Sequence, residues 1–155
     1  MSFRKEEKIE TTFYQQKILL NKIIELGGKL LFPPRKISSV YFDNKNFEMF
    51  NESEEGILPR KKIRIRNYHN EKKNYNLEYK ISSFEGKFKI SNKLDLNSFN
   101  RYLKKGYIDE KYGICYPIIQ ISYDRNYYIL NDLRITFDDN ISYQIIYEDT
   151  KGTIL

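Results

Sequence analysis

Between positions 60 and 66 the chain reads Arg-Lys-Lys-Ile-Arg-Ile-Arg. An extended strand repeats every two residues, so Ile63 and Ile65 share one face there, while Arg60, Lys62, Arg64 and Arg66 share the other. A helical repeat would scatter the same residues around a cylinder. The split recurs along the chain. Arg4, Glu6 and Lys8 fall together, and Glu78 and Lys80 lie opposite Leu77, Tyr79 and Ile81. Lys87 and Lys89 lie opposite Phe88 and Ile90, Tyr123, Arg125 and Tyr127 fall together, and Arg134, Thr136 and Asp138 lie opposite Ile135 and Phe137. Strands are expected over residues 3–11, 37–43, 61–68, 75–82, 87–93, 118–129 and 133–137. Turn-forming residues link them: Asn44 and Asn46, Gly56 with Pro59, Asn70 with Asn74, Glu85-Gly86, and Asn131-Asp132. Consecutive strands on short links specify an antiparallel sheet or barrel rather than a βαβ fold.

Two helices interrupt the strands. Thr12-Phe13-Tyr14-Gln15 fits a capping box, followed by Ile18, Leu19, Ile23 and Leu26 at helical spacing and Gly27-Gly28 as a left-handed stop. A helix is therefore expected over residues 14–26. A shorter one is expected over 98–105, with Leu96, Phe99 and Leu103 inward and Gly106 ending it. At 155 residues the chain suits one domain, 1–155, large enough to bury a core without disulfides.

A solvated sheet face ordinarily mixes charge signs. Here the polar faces carry Arg4, Lys8, Arg60, Lys62, Arg64, Arg66, Lys80, Lys87, Lys89, Arg125 and Arg134 against Glu6, Glu78 and Asp138. Like charges on neighbouring strands repel, so the face calls for an anion. The formal net charge of +6 points the same way, and the planar arginine fork suits phosphate. The few acids among the bases could hold Mg²⁺ or Mn²⁺, which prefer oxygen ligands and bridge to substrate phosphates. No glycine-rich phosphate loop is present, so side chains on strands would have to hold the anion. A lone Cys115 and a lone His69 exclude a disulfide framework, a cysteine-rich zinc site and a histidine cluster. Most aromatics of the basic strands, such as Phe88 and Phe137, alternate onto the apolar face, which argues against nucleic acid. Tyr123 and Tyr127 are the exceptions. No apolar run approaches the roughly 20 residues that span a bilayer, and residues 1–10 lack the apolar stretch of a signal peptide. A cytoplasmic address is the expectation.

The ordered set Arg4-x-Glu6-x-Lys8, Ser38-Ser39-Val40-Tyr41-Phe42-Asp43, Arg60-Lys61-Lys62-Ile63-Arg64-Ile65-Arg66-x-Tyr68, Leu77-Glu78-x-Lys80, Lys87-x-Lys89, Ser122-Tyr123-x-Arg125-x-x-Tyr128 and Leu133-Arg134-Ile135-Thr136-Phe137-Asp138 resembles the VTC domain of polyphosphate polymerases, in the CYTH or triphosphate-tunnel superfamily. The resemblance implies an α+β, mainly antiparallel β fold, a triphosphate-tunnel β-barrel with two or more short helices. It implies a phosphotransferase that moves the γ-phosphate of ATP or another nucleoside triphosphate onto polyphosphate, with Mn²⁺ or Mg²⁺. It marks Lys8, Arg64, Arg66, Lys80, Lys89, Arg125 and Arg134 as phosphate-holding catalytic residues. Arg4, Lys62, Lys87 and Tyr123 would help to bind the nucleotide, and Glu6 and Glu78 would face the metal. One departure stands out: the later apolar-Glu-x-Lys strand of the family has no clear copy, and Glu148-Asp149-Thr150-Lys151 has the wrong spacing. A barrel lacking its final strand would expose edges that invite a homodimer. A triphosphatase or nucleotide cyclase of the same superfamily, and a non-catalytic module that binds triphosphate or polyphosphate, stay open as alternatives.

Overall fold

The computed structural model describes residues 6–69 and 74–146. Three helices are set among seven strands: α1 Phe13–Glu25, β1 Lys29–Asp43, α2 Glu48–Glu54, β2 Arg60–Tyr68, β3 Tyr75–Ser83, β4 Gly86–Leu94, α3 Leu96–Lys105, β5 Tyr107–Asp109, β6 Gly113–Leu130 and β7 Leu133–Ile145. The strands hydrogen-bond in the order β4-β3-β2-β1-β6-β5, with β7 pairing β6. Each assigned pairing among β1–β2, β2–β3, β3–β4 and β5–β6 is antiparallel. The mainly antiparallel fold with short helices is as expected, but the sheet is not a closed barrel. Among the described residues its two end strands, β4 and β5, do not pair with each other.

The chain divides into two compact units, one of residues 1–34 with 126–137 and the other of residues 35–125 with 138–155. In the first, α1 starts on the expected capping box: Gln15 N–H donates to Thr12 Oγ1 at 3.2 Å, and Thr12 N–H donates to Gln15 Oε1 at 2.8 Å. Of the apolar residues at helical spacing only Ile23 is buried; Ile18, Leu19 and Leu26 stay exposed. The strand expected over 3–11 does not form in its described part, since residues 6–12 are irregular and exposed. Edge-to-face packing joins Phe32 to Tyr127 and Tyr128 to Phe137.

The second unit holds the main core, Val40, Phe42, Met49, Ile63, Ile65, Leu77, Tyr112 and Cys115, with Tyr75, Tyr79, Leu94, Phe99, Tyr102, Leu103 and Tyr107 packed against it. Strand register explains the choice. Phe42, Ile63, Tyr79 and Ile90 form one row across four strands, and Val40, Ile65 and Leu77 form the next. Helix α3 covers this face, although Leu96 remains partly exposed instead of turning inward. Phe88 and Ile90, expected in the core, are exposed because β4 ends the sheet.

The apolar side also carries two ionic ties. Lys61 Nζ meets Asp109 at 2.7 Å, and Glu52 of α2 receives Lys111 Nζ at 2.7 Å and the Tyr112 hydroxyl at 2.6 Å. They tie α2 and β2 to the β5–β6 hairpin on the core side of the sheet.

Candidate functional site

The face opposite the core belongs to the cations. Row by row across the sheet, Ser39, Arg66, Asn76 and Lys93 align; then Tyr41, Arg64, Glu78 and Ser91; then Lys62, Lys80 and Lys89; then Arg60, Ser82 and Lys87. Alternation thus placed Arg64, Arg66, Lys62, Lys80, Lys87 and Lys89 correctly on one surface, and the register gathers them. The centre of the surface is not open to solvent. Arg64 retains 6% of its accessible area, Arg66 8% and Glu78 2%.

Glu78 is the hub. Its Oε2 receives Arg64 Nε at 2.8 Å and NH2 at 2.6 Å, and its Oε1 receives Lys89 Nζ at 2.6 Å. Burial alone would raise the Glu78 pKa, but Lys89, Arg64 and Arg66 outweigh it and hold the carboxyl below the usual range. Burial likewise works against the Arg64 charge, and Tyr41 and Glu78 more than restore it. The third Arg64 contact is NH1 donating to Tyr41 Oη at 3.1 Å.

Arg66 is held differently. Its Nε donates to Ser39 Oγ at 3.2 Å and its NH2 to Tyr123 Oη at 3.3 Å. Both partners are neutral, and among the described residues Arg66 makes no salt bridge. Burial pushes the Tyr123 phenol up, an effect that Arg66 and Arg125 partly offset. Arg125 lies 5.1 Å from the Tyr123 ring centroid and meets both carboxylate oxygens of Asp138 through Nε and NH2.

Lys8 and Glu6 lie on the exposed irregular segment of the other unit, and Arg134 is an exposed residue of that unit. Arg4 falls outside the described residues, as does the Glu148-Asp149-Thr150-Lys151 stretch. Sequence reasoning gave no role to Ser39 or Tyr41. The signal was present, since Ser39 and Tyr41 alternate with Val40 and Phe42 and so must share the cation face.

The acids fit a metal poorly. Both oxygens of Glu78 are engaged by cations, and among the described residues no group of three or more His, Cys, Asp or Glu side chains could hold a metal ion. Asp43, buried at the end of β1, accepts instead from the N–H groups of Asn44, Met49 and Phe50 at 2.8, 3.0 and 2.9 Å and anchors α2.

A family model described as the VTC domain matches residues 34–153. No curated protein is similar enough in sequence to be matched. Two solved structures share the fold. One is a protein of Bacillus halodurans provisionally described as an adenylate cyclase: 11% identity, TM-score 0.52, 84% of this chain and 76% of that one covered. The other, from Vibrio parahaemolyticus and described in the same way, has 13% identity and a TM-score of 0.52, over 87% of this chain and 71% of that one.

Proposed function

The chain belongs to the VTC domain family, and from that membership we propose that its cation face holds the triphosphate of ATP, or of another nucleoside triphosphate, and moves the γ-phosphate onto a polyphosphate chain. Phosphoryl transfer asks little covalent chemistry of a protein. It asks for alignment of two phosphate groups and neutralisation of the charge spread over their oxygens. Arg64 and Arg66 project side by side from one strand, with Lys62, Lys80 and Lys89 in the adjoining row. A linear anion laid along β2 meets a cation at every second residue. Arg125 extends the set within this unit; Lys8 and Arg134 belong to the other unit, and a phosphate-holding role for them is proposed from the family resemblance alone.

Arg66 carries the reading. A buried charge costs several kcal/mol unless an opposite charge or a dense set of hydrogen bonds compensates it. Arg64 has Glu78 in direct contact; Arg66 feels Glu78 only through space, and its hydrogen bonds go to two hydroxyls. A phosphate oxygen is the counter-charge its fork is shaped to receive.

Mn²⁺ and Mg²⁺ are the ions this chemistry ordinarily uses, and the described carboxylates do not make a cage for either. That observation favours a second reading, a module that binds triphosphate or polyphosphate without turning it over.

Incubating the protein with ATP and Mn²⁺, and separately with Mg²⁺, distinguishes the two. Accumulating polyphosphate supports transfer, and free phosphate alone makes the protein a triphosphatase. Tripolyphosphate binding with neither product leaves the binding module. A protein that binds no tripolyphosphate at all overturns both readings.

A further inference from the structure

We propose that Tyr41 contacts the bound anion directly, donating its phenolic proton to a non-bridging phosphate oxygen held by Arg64 and Arg66. The proposal rests on the anion-binding reading above and adds to it a neutral, directional contact.

The register puts Tyr41 opposite Arg64 and Ser39 opposite Arg66, so Tyr41 lies on the cation face directly across the β1–β2 pairing from Arg64. Arg64 NH1 donates to Tyr41 Oη at 3.1 Å, which fixes the phenol oxygen as an acceptor and turns its own proton away from the guanidinium. Among the described residues that is the one hydrogen bond of Tyr41 Oη, and in it the phenol accepts rather than donates. The contact is part-buried, where a donor left without an acceptor costs free energy. Tyr123 repeats the arrangement with Arg66, at 3.3 Å. Two guanidiniums on one strand are therefore each met by a phenol, one from β1 and one from β6, and each phenol keeps an O–H to give.

The two donor types do different work. A guanidinium attracts any anion and contributes strongly at long range. A phenol contributes only when an oxygen sits at the right distance and angle, and it adds no charge. Tyr41 would thus orient the phosphate between the arginines without making the site more cationic.

Tyr41→Phe tests this by calorimetric titration with inorganic tripolyphosphate across a salt series. Loss of one neutral hydrogen bond is expected to weaken binding about three- to tenfold. The dependence of affinity on salt should match that of the wild type, because no charge is removed. The same fold-loss should appear when Tyr41→Phe is made in an Arg64→Lys background, which removes the guanidinium that Tyr41 accepts from. Equal affinity of Tyr41→Phe and wild type would overturn the proposal while leaving the anion site intact. So would a loss that vanishes in the Arg64→Lys background, since Tyr41 would then act only by propping Arg64. A wild type that binds no tripolyphosphate would overturn the anion-site reading and this proposal together.

Discussion

Both carboxylate oxygens of Glu78 are occupied by cations, so replacing that one residue leaves two positive groups without their partner. Glu78→Gln keeps the shape and removes the charge. Breaking a buried pair from one side costs about 3 kcal/mol or more, and the part owed to the half-exposed Lys89 is screened by solvent. A lower melting temperature is expected, with a larger rise on adding tripolyphosphate than the wild type shows. Acid should report the same residue. The Glu78 carboxyl is depressed in the fold, so its contribution is complete above the unfolded value near about 4.3 and fades as pH falls through the lower folded value. Urea midpoints followed from pH 6 towards pH 3 should fall less steeply for Glu78→Gln than for the wild type. Arg66→Ala tests the opposite case. Loss of its charge-assisted contact should drop tripolyphosphate affinity about ten- to a hundredfold by titration, with a smaller fall in melting temperature than Glu78→Gln shows, because its own hydrogen-bond partners are neutral. At this scale the sequence identified the cations from alternation alone. It could not show that Glu78 is paired with Arg64, because that pairing is set by the register between two strands and neither strand's own pattern contains it.

Helix ends and strand faces were the most legible elements, because their signals are local. Thr12 with Gln15 announces α1, and Gly106 closes α3. Helix α2 went unread since its anchor, Asp43, sits five residues before the first helical position, while Phe47 enters through a left-handed turn without a side-chain cap. Strand β1 begins at Lys29 rather than at 37, running through Pro33 and Pro34, residues that ordinarily argue against a strand. β6 likewise starts at Gly113 and runs through Pro117, and β7 continues to Ile145 rather than stopping at 137. Gly106 offers a sharp test at the junction of α3 and β5. Its φ is +80°, and an added Cβ would lie 2.7 Å from the Cys115 carbonyl oxygen. The backbone strain alone is of order 1 to 3 kcal/mol. Gly106→Ala should therefore lower the midpoint of thermal unfolding clearly, and an unchanged midpoint would mean that the junction relaxes freely.

For the molecule as a whole, the formal charge of +6 and the clustering of cations on one face set how binding responds to salt. Tripolyphosphate affinity should fall steadily as sodium chloride is raised across the physiological range, where screening acts over about 8 to 10 Å. A flat response would mean that hydrogen bonds to a few buried groups carry the binding without the field. The open sheet was legible only in part: the missing apolar-Glu-x-Lys copy pointed to a barrel lacking its final strand, but not to which strands would end the sheet. The alternation in each strand is the same whether a sheet closes or not, and closure depends on which strands meet at its ends. The clasp between Arg125 and Asp138 has a consequence in time rather than in affinity. Arg66 is braced by two hydroxyls that an incoming phosphate has no need to evict, so it can receive the anion on arrival. Arg125 already grips a carboxylate with both arms of its fork. An anion must take the place of Asp138 there, one negative group for another, so the net gain is small and the exchange is a separate, later step. Capture and final seating would then run on two clocks, the first set by diffusion to Arg66 of β2 and the second by how fast Asp138 lets go.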